Sequence, residues 1–303
     1  MVRGCPYQCA YCLNNRLMAA FRKKGPYVRK IAVERVIQEL EWARNNIPHL
    51  KRIIIDDDDF FLNSEDRIQK FLGRYMETIK LPVFYIQANT RQITRAKLKI
   101  LADSGLTLRY LKIGLQSASP RISKDIFNRP LDQASYLEKL ALVVDSKIRV
   151  MIDVISANPY ETTQDKHEVL QFYLKILKII MHRNTVEQPV KIYDHKLMYF
   201  SGTPLYERAL KDGHISGDYV EKVLLKRSTL RLHQEDMDND ALTVWLFNIA
   251  ARKKTFYKTA HTLLRIMAAP PVFFAITRYN LAERFGAFFR MPVVKKLVDK
   301  IQI

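Results

Sequence analysis

Three thiols crowd one end of this chain, in the run Cys5-Pro6-Tyr7-Gln8-Cys9-Ala10-Tyr11-Cys12, and they are all the cysteines it has. Thiolates are soft ligands that suit zinc or iron-sulfur clusters. Three of them this close together converge only if the loop wraps around something. A structural zinc site ordinarily takes four protein ligands, whereas a cubane held by three cysteines leaves one iron open to a substrate or cofactor. A histidine such as His49 or His195 would complete a zinc site, although no second two-cysteine knuckle is present. Both readings stand on these residues alone.

A second concentration of chemistry is the acidic run Asp56-Asp57-Asp58-Asp59, which follows Ile53-Ile54-Ile55 and precedes Phe60. Carboxylates at the C-terminal end of a barrel strand face its mouth, where ammonium groups and metals bind. Side chains alternate along a strand, so four adjacent acids cannot all point inward, and Asp56 or Asp59 is expected in solvent. A divalent-metal site is the competing reading. Further polar runs end other apolar stretches: Gln87-Ala88-Asn89-Thr90-Arg91, Gly114-Leu115-Gln116-Ser117-Ala118-Ser119, Asp153 through Asn158-Pro159 to Thr162, and Tyr199 to Leu205.

These groups need a frame that brings strand ends together. Short β-rich runs at 52–57, 83–88, 110–115, 148–155 and 190–200 alternate with segments of helical period at 32–46, 64–79, 94–104, 135–145 and 163–181. That is the pattern of βα units around a parallel sheet. Asn63-Ser64 and Thr162-Thr163 are placed to cap helices, and Pro48 and Gly105 are placed to end them. The cysteine run lies where the loop after a first strand would be. Only residues 1–4 are left to form that strand, so the chain is expected to be a part of a longer protein.

Beyond about Gly213 the alternation stops and helices are expected at 218–230, 240–267 and 281–289, broken at Pro270-Pro271. The fold class expected is α/β over 1–213, with a C-terminal helical extension over 214–303.

The chain has 303 residues and a formal net charge of +19. From 241 to 303 eleven Lys or Arg stand against two acids. Such an excess suits a nucleic acid or an anionic membrane surface, or is simply a solvated face. Three cysteines do not make a disulfide framework, so a reducing, cytoplasmic setting is expected. No run reaches the ~18 apolar residues of a membrane span. Trp245, Phe247, Phe256, Tyr257, Phe273, Phe274, Phe288 and Phe289 are expected to pack over the barrel, with a peripheral membrane contact and a lipid-related or other small-molecule substrate as the alternative.

The CxxxCxxC run, with Tyr11 before its last cysteine, resembles the cluster loop of the radical S-adenosylmethionine enzymes. The strand-end segments extend the likeness. The acidic run, with Asp57 and Asp58 at the matching positions, is similar to the Asp-Asp-x-Phe form of the cobalamin-dependent subgroup. Gln116-Ser117-Ala118-Ser119 resembles a segment that meets the cofactor's ribose and methionine ends, with Gln116 in place of a glutamate. The segment from Asp153 to Thr162 is similar to the family's Gly-x-Pro-x-Glu-Thr turn, with Asn158 beside the adenine edge.

The resemblance implies that the α/β part is a partial (β/α)6 barrel of the TIM type, with one four-iron four-sulfur (4Fe-4S) cluster on Cys5, Cys9 and Cys12. It implies S-adenosylmethionine held by Tyr11, Asp57, Asp58, Asn89, Gln116, Ser117, Asp153 and Asn158, and an electron donor such as flavodoxin or ferredoxin. It also implies reductive cleavage to a 5′-deoxyadenosyl radical. Cobalamin would enter through a domain outside this chain, with C-methylation as the reaction. A tRNA methylthiotransferase is the alternative enzyme, fitting badly because its C-terminal module is β-rich. A zinc-binding RNA or membrane adaptor is the alternative outside enzymes.

Overall fold

In the computed structural model, residues 1–183, 189–225, 239–252 and 254–278 are described. The chain runs β1 (Val2–Arg3), α1 (Leu13–Ala20), β2 (Arg29–Lys30), α2 (Val33–Asn46), β3 (Ile53–Ile55), α3 (Glu65–Thr78), β4 (Val83–Ala88), α4 (Arg95–Asp103), β5 (Leu108–Gln116), α5 (Gln133–Asp145), β6 (Val150–Ser156), α6 (Thr163–Met181), β7 (Val190–Lys196) and α7 (Pro204–Lys211). It closes with α8 (Asn239–Arg252), α9 (Lys254–Met267) and α10 (Pro270–Arg278). β3 to β7 form one parallel sheet in sequential order, the strands of a partial TIM-type barrel.

Alternation along these strands separates two faces. Ile86, Ile113, Ile152 and Ile192 enter the main hydrophobic core with the helices. The residues between them, Tyr85, Lys112, Asp153 and His195, meet one another on the opposite face: Lys112 Nζ lies 2.9 Å from Asp153 Oδ2 and 4.9 Å from the Tyr85 ring centre. One face is therefore a dry packing surface and the other a polar lumen.

The first strand behaves differently from its expected place in the barrel. Val2–Arg3 pairs antiparallel with Arg29–Lys30 and makes no ladder with the five-stranded sheet. Its link to β3 runs through side chains at the strand end, described below.

Helix α6 begins as its sequence signals: Thr162 and Asp165 form a reciprocal capping box. At α3 the expected cap works otherwise. Ser64 makes no side-chain cap, and Asn63 instead accepts from Arg67 Nε at 2.8 Å and donates to the Phe60 carbonyl.

The C-terminal helices share the barrel's core rather than building their own. Phe247 packs on Tyr173 of α6 at 5.6 Å between ring centres, and Phe273 packs on the His167 ring at 5.1 Å. Asn248 of α8 finishes the exposed edge of β7, accepting from Ile192 N at 2.8 Å and donating to Ile192 O at 2.9 Å. A side-chain amide thus stands in for the next strand.

The stretch expected as one helix over 240–267 is divided between α8 and α9. The helix expected at 281–289, with Phe288 and Phe289, lies outside the described residues, as do the side chains of Phe256 and Tyr257; of the helix expected at 218–230 the described part holds one short helical turn, Val220–Leu224, and 226–230 lie outside. Among the described residues no single helix is long and apolar enough to cross a membrane; one pair, Lys258–Met267 with Pro270–Arg278, passes by composition but is bent by 78°.

Candidate active site at the strand ends

The cysteine loop is held by the acidic run at the end of β3. Asp58 Oδ2 accepts from Gly4 N at 2.7 Å, and Asp58 Oδ1 accepts from Asn14 Nδ2. Asn14 is in turn bonded to the Tyr27 hydroxyl. Asp57 Oδ1 accepts from the Met1 nitrogen at 2.6 Å. Gly4 has a φ of +88°, and an added Cβ would stand 2.4 Å from the Tyr27 carbonyl oxygen, so only glycine fits where β1 passes into the cysteine loop.

The middle of the loop is clamped from two sides. Ala10 N donates to Phe127 O at 2.8 Å, and Leu205 N donates to Ala10 O at 3.0 Å. Tyr11 stacks edge-on against Phe127 at 5.0 Å. Cys12 then serves as the N-cap of α1, so the third thiol sits where the loop becomes helix.

Burial, together with the neighbouring Cys9, Cys12 and Asp58 charges, pushes the Cys5 thiol up to about 11. Burial also raises Cys12. Three thiolates in this loop therefore require positive charge among them. Some is supplied by Arg129, whose Nη1 lies 3.8 Å from Cys9 Sγ and whose Nη2 donates to Gly114 O at 3.1 Å. Burial opposes the Arg129 charge, and Tyr11 and Cys9 outweigh it, so its pKa rises. Gly114 makes room for this crossing, because a Cβ there would meet Gln116 Nε2 at 2.7 Å and Arg129 Nη2 at 3.4 Å.

Among the expected cofactor residues, three present buried polar atoms with no hydrogen-bond partner in the structure: Asp57 Oδ2, Asp153 Oδ1 and Asn158 Nδ2. Asp153 Oδ1 is 3.3 Å from His195 Nε2, an ion-pair distance without hydrogen-bond alignment. Asn158 Oδ1 is used to accept from Tyr160 N at 3.1 Å, which fixes the amide in the turn before α6. Gln116 ends β5 with a φ of +68°, still paired with Val154 after a register shift that follows Gly114.

Other expected residues serve the frame. Asn89 caps the turn after β4 through Arg91 N and donates from its own backbone to Asp59 Oδ1 at 3.1 Å. Ser117 Oγ accepts from Ser119 N at 3.2 Å, and Ser119 Oγ donates to Asp165 at 2.6 Å. Asn89 lines a cavity of about 200 Å³ with Arg91, Gly114 and Arg129, whereas Gln116 and Ser117 line a separate pocket with Ser156, Glu161 and Asp240.

Of the two acids between which the solvated place was left open, Asp56 is exposed, whereas Asp59 is 0% exposed and accepts from Phe61 N and Asn89 N. Burial pushes the Asp59 carboxyl up to about 6. The two histidines weighed as zinc ligands also lie elsewhere. His49 is exposed in the turn after α2, and His195 faces Asp153 on β7. Among the described residues no three His, Cys, Asp or Glu side chains converge on one ion.

Arg129 and Asn14 carry no sequence signal for the roles they play. A half-buried guanidinium beside a thiol is a tertiary event. The only local hint is the turn made by Asn128, at a φ of +47°, and Pro130 on either side of Arg129.

A family model, that of the Radical SAM superfamily, matches residues 1–173. The chain belongs to the radical SAM superfamily. Membership implies a four-iron four-sulfur cluster and S-adenosylmethionine, and so an enzyme. No curated protein matches the sequence.

Among solved structures, the fold is similar to the cobalamin-dependent S-adenosylmethionine radical enzyme OxsB with aqua-cobalamin bound, at a TM-score of 0.53 and 15% identity over 97% of this chain and 50% of that one. It is also similar to the radical S-adenosylmethionine methyltransferase TsrM from Kitasatospora setae, with cobalamin and a [4Fe-4S] cluster bound, at 0.52 and 14% over 70% of this chain and 38% of that one. The chain thus spans half or less of the length of these structures.

Proposed function

We propose that Cys5, Cys9 and Cys12 hold one four-iron four-sulfur cluster and that the chain starts radical chemistry by reductive cleavage of S-adenosylmethionine. The observation that carries this is the position of the three-thiol loop, tied by Asp58 and Arg129 to the mouth of a parallel sheet. Buried polar atoms there have no partner within the protein. Soft thiolates with one metal corner left open suit a cluster that binds a cofactor, and the donor set fits.

Cys5, Cys9 and Cys12 would hold the cluster, and once both groups are bound they would supply one electron for breaking a carbon–sulfur bond of the sulfonium, and with it the means to take hydrogen from substrate. The chain's own part is to bind and orient. Asn158 Nδ2 can donate to a purine nitrogen, Asp153 Oδ1 and Gln116 can accept from ribose hydroxyls, and Asp57 Oδ2 can accept from an ammonium. Asp58 holds the loop, and Arg129 offsets thiolate charge. The polar lumen around Lys112, Asp153 and His195 would face the substrate.

Cobalamin use and methyl transfer to carbon belong to the same proposal, with the corrinoid held by a domain outside this chain. Their support is the likeness of fold to two cobalamin enzymes. A small-molecule substrate and a cytoplasmic setting complete the proposal. Anaerobic reconstitution tests the central claim, followed by iron, sulfide and zinc analysis and by detection of 5′-deoxyadenosine after reduction. About four irons per chain and 5′-deoxyadenosine formation are expected. Tightly held zinc with no iron uptake would overturn it.

A further inference from the structure

Helix α1 follows directly on Cys12 and buries none of its side chains. Leu13, Leu17 and Phe21 recur every four residues, forming one stripe, and are 44%, 45% and 46% exposed. Large apolar side chains left in a row on the surface mark an interaction face more often than isolated ones do.

The same segment is charged with one sign only. Residues 13–30 contain six Lys or Arg and no Asp or Glu. Arg22, Lys23 and Lys24 lie exposed at the end of the stripe, and Arg3 on β1 is exposed as well. Among the described residues none of these cations forms an ion pair within the chain. An apolar centre with an unneutralised basic rim complements an acidic protein.

Position decides which acidic protein. With a rise of ~1.5 Å per residue, the stripe extends only about 12 Å from the helix start at Cys12. Electron transfer through protein falls steeply with distance, so a carrier seated here stands close to the cysteine loop. The other basic region, beyond residue 241, begins in helices packed on α6 and β7.

We infer that the α1 face is the docking site of an acidic, one-electron carrier protein that reduces the cluster. The inference rests on the cluster assignment proposed above. In the step, the reduced carrier loses one electron and the oxidised cluster gains it; no bond forms or breaks. Opposite charges would steer encounter and make its rate fall with ionic strength.

The test uses the full chain after anaerobic reconstitution, with photoreduced flavodoxin and a plant-type ferredoxin as probes and dithionite as the small-molecule control. Stopped-flow bleaching of the cluster absorbance gives the reduction rate. Calorimetry with oxidised flavodoxin gives binding independently of electron transfer.

For R22E/K23E/K24E, and separately for Leu17→Asp, carrier affinity and second-order rate should both fall by about tenfold. Iron content and the dithionite rate should stay at the wild-type value, and the wild-type carrier rate should fall with added salt. Carrier rates and affinities within twofold of wild type in both variants would overturn the inference. So would patch-dependent binding to phosphatidylserine vesicles or RNA without any effect on carrier reduction, which would give the face to another occupant. A chain that takes up no iron removes the cluster assignment, and the inference falls with it; iron content tells that failure apart from a failure of docking.

Discussion

Arg129 Nη1 stands 3.8 Å from Cys9 Sγ while Nη2 of the same guanidinium donates to the carbonyl of Gly114, so one half-buried cation joins the cysteine loop to the end of β5. In the proposed cluster the charge would help a sulfur that carries negative charge, and the geometry fixes where that sulfur sits. Arg129→Met is expected to lower the reduction potential of a reconstituted cluster, because removing a nearby positive charge disfavours the added electron. A shift of roughly 60 mV corresponds to one tenfold change in a one-electron equilibrium. A spectroscopically monitored redox titration checks it.

Asp58 offers a second handle, because it bonds the loop on both sides of Cys5, at Gly4 and at Asn14. Asp58→Ala removes acceptors worth about 1.5–3 kcal/mol each where the acceptor is charged. The loop should hold fewer irons after reconstitution while the thermal unfolding of the barrel changes little. Gly4→Ala should do the same through a steric clash with the Tyr27 carbonyl.

Asp165 predicts a pH dependence of stability. Burial would raise its carboxyl, but bonds from Arg121, Ser119 and Thr162 outweigh burial and hold it well below the usual carboxylate range. The folded state therefore binds its proton less tightly than the unfolded chain. The stabilisation is complete above about pH 4, the unfolded value, and is lost as pH falls below it toward the folded value. Asp165→Ala removes the charged acceptor that Ser119 and Thr162 use, while the half-exposed Arg121 regains water, and should cost about 1.5–3 kcal/mol near neutrality. Urea midpoints of wild type and variant should converge as the pH drops below about 4.

Asn248 predicts how the helical extension contributes. Its amide satisfies both backbone groups of Ile192 on the edge strand β7. Asn248→Leu leaves those groups without partners and should destabilise the fold by about 1–3 kcal/mol. Hydrogen exchange should show β7 amides opening more readily than those of β5.

The sheet was legible because its strands are buried on one face and β-rich; β4 has the bounds its residues propose, Val83–Ala88. The capping box of Thr162 and Asp165 was legible for the same local reason. Helix α1 was not, since nothing in it is buried and no side chain caps it. Alternation left open whether Asp56 or Asp59 stands in solvent; Asp56 does, and Asp59 is inside, where it caps the short helical segment that starts at Phe60. The cysteines could be named from spacing alone. The residues that serve them could not, because Arg129 reaches Cys9 across 120 positions of chain.

The antiparallel pairing of Val2–Arg3 with Arg29–Lys30 carries a last consequence. It brings the two ends of the segment between them together, so that the cysteine loop and α1 start and finish at one place. Closing such a loop grows costlier only logarithmically, by about 0.6 kcal/mol for each doubling of length. Because Ala10 and Asn14 anchor the middle of that segment to the body, a change of length is borne most easily by the exposed turn over 21–26, which lies between those anchors and the returning strand.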